Sequence, residues 1–197
     1  MPRPSQANDR REKLLPLIAD AFGQLGYRAA TTAQIAGRCN VRENVLYRLW
    51  KDKKTMFLAS IDFLFRRRMA RWQDILAKHS GGALPVERLL ELTAENLGEQ
   101  RLYRIIFAAF SETDDDDVRA ALQGLYRRYH KRVTELLRAR RRGRKRPQSL
   151  GDGDTAWALI GMVTVMNVLI DLDLASPRGR KSTFLNVSRL LLNGPRS

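Results

Sequence analysis

The stretch 31–54, TTAQIAGRCNVRENVLYRLWKDKK, constrains this chain more than any other. Two short apolar stripes of helical period lie in it. Ile35, Ala36 and Cys39 make the first; Val41, Val45, Leu46 and Trp50 make the second. Asn40 falls between them. Asparagine enters the left-handed backbone region at low cost, which suits a tight turn there. The hydroxyl of Thr31 or Thr32 can cap the first helix. Two helices crossing steeply over a short turn make a helix-turn-helix, which can set its second helix in the major groove of DNA.

The polar residues of the second helix suit that use. Arg42, Glu43 and Asn44 open it, and Tyr47 and Arg48 follow. Arginine and asparagine are the side chains that pair bidentately with guanine and adenine edges. Lys51, Lys53 and Lys54 come next, where phosphates would lie. The same spacing also fits a helical hairpin with a solvated basic face. The net charge of +15 and the sequence pI near 10.8 call for a polyanionic partner. Charge alone does not separate DNA from an anionic membrane surface.

A longer pattern surrounds the hairpin. Arg11, Leu14, Leu15, Phe22, Gly26 and Tyr27 lead into Thr31, Thr32, Ile35 and Ala36, and then into Val41, Leu46, Tyr47, Trp50, Lys53 and Met56. In residues and spacing, 11–56 resembles the DNA-binding domain of the TetR family of repressors. Four positions depart from the family pattern. Asn40 stands for the turn glycine, Arg42 for a capping serine, Trp50 for phenylalanine, and Lys54 for an acidic residue. The loss of the serine leaves the second helix without its usual cap.

The resemblance implies an all-α protein. A three-helix bundle with the helix-turn-helix would occupy 1–54, and a larger helical domain for ligand binding and dimerisation 55–197. It also implies a DNA-binding set of Thr31, Thr32, Arg42, Glu43, Asn44, Tyr47, Arg48, Lys51, Lys53 and Lys54, with Thr32, Tyr47, Lys51 and Lys53 on the backbone. The partners would be double-stranded DNA, a second copy of the chain, and a small-molecule inducer that releases a repressor from a palindromic operator.

The remaining sequence reads as helices throughout. Residues 1–8 look like a flexible arm, with Arg3, Arg10 and Arg11 in reach of phosphate or a minor groove. A first helix carries Leu14, Ile18, Ala21, Phe22 and Leu25 on one face and ends at Gly26. Pro16 either pushes its start towards Lys13 or kinks it. A long helix runs over 53–78, and 81–85 is a connector. Further helices follow from Pro85, from Leu102 and after Asp114–Asp117; that acidic run suits a helix start through the helix dipole better than it suits a metal. Gly151–Asp154 breaks the chain and caps the next helix, 156–172 is apolar nearly all round, Ser176–Gly179 stops it, and a last helix spans about 182–193. Such a pair of helices, joined to its copy, makes a four-helix bundle. In the family this pair forms the dimer interface, which points to Trp157, Gly161, Val165, Leu169, Phe184 and Leu191. Candidate ligand-lining residues are Trp72, Phe107, Phe110, Tyr126, Met162, Met166 and Asn167, each of which also reads as ordinary core.

Other classes find little support. G-x-S-x-G, H-E-x-x-H, Walker and G-x-G-x-x-G motifs are missing from the sequence, so an enzyme is not expected. No cofactor or metal is expected either; His130 has no second ligand one turn away. The single Cys39 reads as a small core residue. The polar, basic N-terminal residues are unlike a secretory leader, and the apolar run 157–172 is short of the ~20 residues of a membrane span. A cytoplasmic setting without membrane contact follows. The helix after Asp117 runs to about Arg141, and Arg138–Arg146, RARRRGRKR, reads as its C-terminus with a solvated loop, as an extra polyanion contact, or as a targeting signal. The competing function is a helical DNA-binding protein with no small-molecule switch, acting structurally or through a protein partner.

Overall fold

The computed structural model describes residues 4–77, 85–97, 103–142 and 150–193. Among them are nine α-helices and no strand: α1 (Pro4–Leu25), α2 (Thr32–Arg38), α3 (Glu43–Leu49), α4 (Lys53–Ala77), α5 (Pro85–Glu95), α6 (Arg104–Phe110), α7 (Asp116–Arg142), α8 (Asp152–Asp171) and α9 (Pro177–Asn193). The all-α expectation holds. The helices pack as two compact units. One is Met1–Met69 with Arg101–Leu125; the other is Ala70–Gln100 with Tyr126–Ser197. Neither is continuous in sequence, because α4 and α7 each contribute to both.

The first unit is built on the periodic residues of α1 to α4. Ile18 and Phe22 of α1, Ile35 of α2, Leu46 of α3, and Met56 and Phe57 of α4 are all fully buried. Phe57 meets Phe22 edge-on at 5.0 Å between ring centroids and Tyr27 at 4.6 Å. Such pairs add about 0.5–1.5 kcal/mol beyond simple burial. The short α6 packs on α1 and buries Ile105, Ile106 and Ala109.

Helix α1 differs from its sequence reading at the start. It begins at Pro4, not after an eight-residue arm, and Pro16 lies inside it. Proline there deletes one i to i−4 bond, and the surrounding turns carry the helix through. Its end is as read: Gly26 takes φ +75° and its N–H reaches the carbonyl of Phe22 at 2.9 Å.

In the second unit Val86, Val133, Leu137, Ala156, Leu159 and Leu192 form one buried cluster. Ala94, Met166 and Phe184 form another. Helix α8 is longer than the apolar run suggested. Gly151 is its N-cap, so 151–154 caps the helix as its sequence suggests, and Asp152 and Asp154 fall in its first turn. Acidic groups are favoured there by the helix dipole. At 20 residues α8 is long and apolar enough, by length and composition, to cross a bilayer, contrary to the shorter sequence reading. It packs on α9 and buries Thr155, Ala156, Leu159 and Met166. Helix α9 also starts early. Ser176, read as part of a stop, is a start signal: its hydroxyl oxygen accepts from the N–H of Gly179 at 3.1 Å, and Pro177 takes the first helical position.

Arg140, from the basic tract, is buried at 4% exposure. Its guanidinium donates to Glu87 Oε1 at 2.7 Å, to the Leu192 carbonyl at 2.9 Å and to Asn193 Oδ1 at 2.8 Å. It thereby ties α7 to α5 and satisfies the end of α9. Arg141 donates to Asp152 Oδ1 at 2.7 Å. The tract is helical to Arg142, close to the expected end, and Arg140 and Arg141 are bonded within the fold rather than solvated. Positions 143–146 of the tract, and 81–84 of the expected connector, lie outside the described residues.

Candidate nucleic-acid interface

The α2–turn–α3 unit is fixed by local bonds at every end except one. Thr31 is the N-cap of α2. Its hydroxyl oxygen accepts from the Gln34 N–H at 3.2 Å, and Gln34 Oε1 accepts from the Thr31 N–H at 2.9 Å. This reciprocal capping box satisfies two donors that a helix start leaves open. At the other end Asn40 takes φ +51°. Its N–H reaches the Gly37 carbonyl at 3.1 Å, and the Val41 N–H reaches the Ala36 carbonyl at 3.0 Å. That is the Schellman pattern, with asparagine where glycine is usual. Arg42 is the N-cap of α3 and makes no side-chain cap, as the missing serine led one to expect.

The C-terminal end of α3 is also held from a distance. Arg11 of α1 donates through Nε and Nη2 to the Leu49 carbonyl, at 2.9 and 2.7 Å. Arg11, a candidate phosphate contact by its sequence position, is instead the C-terminal cap of α3. Asp52 begins the next helix. Its Oδ1 accepts from both the N–H and the hydroxyl of Thr55 at 2.7 Å, and these bonds hold the carboxyl below its ordinary pKa.

The ten expected DNA-contact residues separate into two groups. Arg42, Asn44, Arg48 and Lys51 are exposed, with no side-chain partner among the described residues. Three others are joined together. The Thr32 hydroxyl donates to Glu43 Oε1, and the Tyr47 hydroxyl lies 3.1 Å from Thr32 Oγ1. Thr32 has one proton and gives it to the carboxylate, so Tyr47 is the donor in the second bond. The three side chains brace the start of α2 against α3, and Tyr47 remains half-exposed.

Lys53 and Lys54 are engaged inside the unit. The Lys53 ammonium donates to the carbonyls of Tyr27 and Ala30, both at 3.0 Å, and lies 4.6 Å from the centre of the Tyr27 ring. It closes the loop between α1 and α2 onto the start of α4. The Lys54 ammonium pairs with Asp115 at 2.8 Å and Asp117 at 2.6 Å. Asp115 also caps α7, accepting from the N–H groups of Asp117 at 2.9 Å and Val118 at 3.2 Å. The Lys54 bond pulls the Asp115 carboxyl below its ordinary pKa, and both carboxylates raise that of Lys54. The acidic run is thus a helix cap with a cation on it. Beside it, Arg28 Nε bridges both carboxylate oxygens of Glu112 at 3.0 Å. Burial pushes the Cys39 thiol up to about 11, in keeping with a core residue.

The expected ligand residues do not gather in one unit. Phe107 and Phe110 belong to the first, and Phe110 is exposed. Trp72, Tyr126, Met162, Met166 and Asn167 belong to the second. Met162 packs against both core clusters there and Met166 is part of one. Asn167 donates to the Val163 carbonyl of its own helix at 2.8 Å. Of the expected dimer residues, Trp157, Gly161 and Val165 are exposed along one side of α8, and Leu169 and Leu191 are half-buried. Phe184 is different: it is fully buried within this chain, against Ala94 and Met166, and presents no surface to a partner. Trp157 also stacks on His130, whose Nε2 donates to the Gly153 carbonyl at 3.0 Å.

Residues 15–60 match the sequence model of the tetR family of bacterial regulatory proteins. The chain is 28% identical over 142 residues to the nucleoid occlusion factor SlmA of Vibrio vulnificus, covering 70% of this chain and 71% of that one. Among solved structures it is similar to E. coli NemR in its reduced form, with a TM-score of 0.76 and 16% identity over 95% of this chain and 100% of that one. FadR of Bacillus subtilis in complex with stearoyl-CoA superposes with a TM-score of 0.74 and 11% identity, covering 93% and 98%.

Proposed function

We propose that this chain, a TetR-family DNA-binding transcriptional regulator, is a repressor that reads a palindromic operator as a homodimer and leaves it when a small molecule binds. The observation that carries the reading is the division of polar side chains on α3. Arg42, Asn44 and Arg48 face outward without partners among the described residues, while the groups around them are tied into the fold. Arg42 and Asn44 have the chemistry to read base edges. Thr31, Thr32, Tyr47 and Lys51 supply phosphate contacts, and Glu43, Lys53 and Lys54 position the helix pair. In functional terms 1–54 is the headpiece and 55–197 the ligand-binding and dimerisation part.

In a dimer joined through the exposed side of α8, the two recognition helices must lie about one DNA turn apart, ~34–36 Å, to enter successive major grooves. A ligand that prefers another spacing lowers operator affinity by its differential affinity for the two states. Support for a ligand comes from FadR, which is similar in fold and holds stearoyl-CoA. Trp72, Tyr126, Met162 and Asn167 are the lining residues proposed for this chain.

One observation favours a second reading. SlmA of Vibrio vulnificus, to which the chain is similar, is named a nucleoid occlusion factor, which fits a DNA-binding protein with no small-molecule switch. Selection of bound sequences from a random DNA pool tests both. A palindromic consensus whose occupancy falls on adding an acyl-CoA or another lipophilic metabolite supports the repressor. A consensus whose occupancy no metabolite changes supports the second reading. No consensus at all overturns sequence-specific regulation.

A further inference from the structure

The basic character of the chain is not accounted for by the headpiece. Between 126 and 142 the sequence holds eight basic residues and a single acidic one, Glu135. The structure sorts seven of them; the eighth, Arg128, is engaged elsewhere. Arg140 is buried on Glu87 and the end of α9, Arg141 pairs with Asp152, and Arg132 pairs with Glu135 at 3.3 Å. Arg127, Lys131, Arg138 and Arg142 are exposed and have no ion-pair partner among the described residues. At 3.6 residues per turn these four fall within roughly 60° of arc, a straight line about 22 Å long on α7. Leu125, Val133 and Leu137, on the other side of the helix, are buried.

We infer that this ridge of α7 is a second nucleic-acid-binding surface, which grips the phosphate backbone without reading sequence. Four like charges held in a row on a rigid helix repel one another, and a polyanion relieves that repulsion. Three of the four are arginines, whose planar fork matches phosphate oxygens. Double-stranded DNA carries one charge per ~1.7 Å of axis, so a ~22 Å line meets ample phosphate. An anionic membrane fits less well. A helix that lies in a bilayer surface inserts an apolar face, and the apolar face of α7 is inside the protein. The ridge does not depend on the reading of α3 as a base-reading helix, because it is a separate set of residues.

The test uses the full-length protein and a random-sequence duplex, with affinity measured as a function of salt. Each phosphate neutralised contributes about −0.9 to the slope of log affinity against log salt. R127Q/K131Q/R138Q/R142Q, with an unchanged helical circular dichroism spectrum, should flatten the slope by about two to four units. Each half, R127Q/K131Q and R138Q/R142Q, should remove about half of that, which covers the case in which the fourfold variant does not fold. A headpiece variant, R42A/R48A/K51A, should keep the ridge's share of random-DNA binding. An unchanged slope in both half variants overturns the inference. So does loss of all random-DNA binding in the headpiece variant, or a ridge-dependent binding to phosphatidylserine vesicles with none to DNA. If the headpiece variant alone loses operator preference, the reading of α3 stands whichever way the ridge result falls.

Discussion

The guanidinium of Arg11 and the carbonyl oxygen of Leu49 lie 38 residues apart in sequence and are joined by two hydrogen bonds, at 2.9 and 2.7 Å. The bonds fix the end of α3 against α1, so the angle at which α3 leaves the bundle depends on them. Hydrogen bonds from a charged donor are worth about 1.5–3 kcal/mol. Arg11→Ala should therefore lower the melting temperature and weaken DNA binding on every sequence alike. Arg11→Lys, which keeps the charge but loses the fork, should fall between the two. A flatter salt slope with unchanged melting would make Arg11 a phosphate contact instead.

Lys51 and Lys53 should behave differently although two residues apart. Lys51 is exposed, whereas Lys53 is bonded to the carbonyls of Tyr27 and Ala30. Lys51→Ala should reduce the salt slope by roughly one unit. Lys53→Met should leave the slope alone and lower thermal stability, because two carbonyls lose their donor. Equal slope changes in the two variants would return Lys53 to the DNA surface.

Glu43 sets a carboxylate beside the hydroxyls of Thr32 and Tyr47, the groups proposed for phosphate contact. Glu43→Gln keeps an acceptor for Thr32 and removes a charge that repels phosphate. Affinity should rise a few-fold on operator and random DNA alike, measured by fluorescence anisotropy. Loss of preference at a single cytosine would show that Glu43 reads a base.

The Lys54 bridge sets a pH window. The Asp115 carboxyl is held below its ordinary value, so its contribution is present above pH ~4 and fades as pH falls through the lowered value. The Lys54 ammonium is held above its ordinary value, so its contribution is present below pH ~10.4 and fades as pH rises beyond. The melting temperature of Lys54→Met should lie below that of the parent between those limits and converge with it in acid. A constant difference down to pH 2 would locate the effect of the substitution elsewhere.

These long-range bonds mark the limit of what the sequence disclosed. The left-handed Asn40, the Thr31 cap, the uncapped Arg42 and the buried Cys39 were legible because each depends on residues within a turn or two. By sequence Arg11, Lys53, Lys54 and Arg140 look like surface charges, because their partners lie 23 to 61 residues away. A basic side chain carries no local mark that separates a phosphate contact from a carbonyl cap. The helix start at Pro177 is illegible for a related reason. Gly, Pro and Asp both break helices and begin them, and only the bond from Gly179 to Ser176 shows which.

If α3 reads bases, the loss of Arg42 must show it at single base positions. Parent and Arg42→Ala proteins would be compared on the selected operator and on every single-base variant of it, at physiological salt. The expected result is a loss of about 1–3 kcal/mol on the operator and a loss of preference at one position in each half-site, with the other positions unchanged. An equal loss on all sequences, with every preference kept, would contradict it.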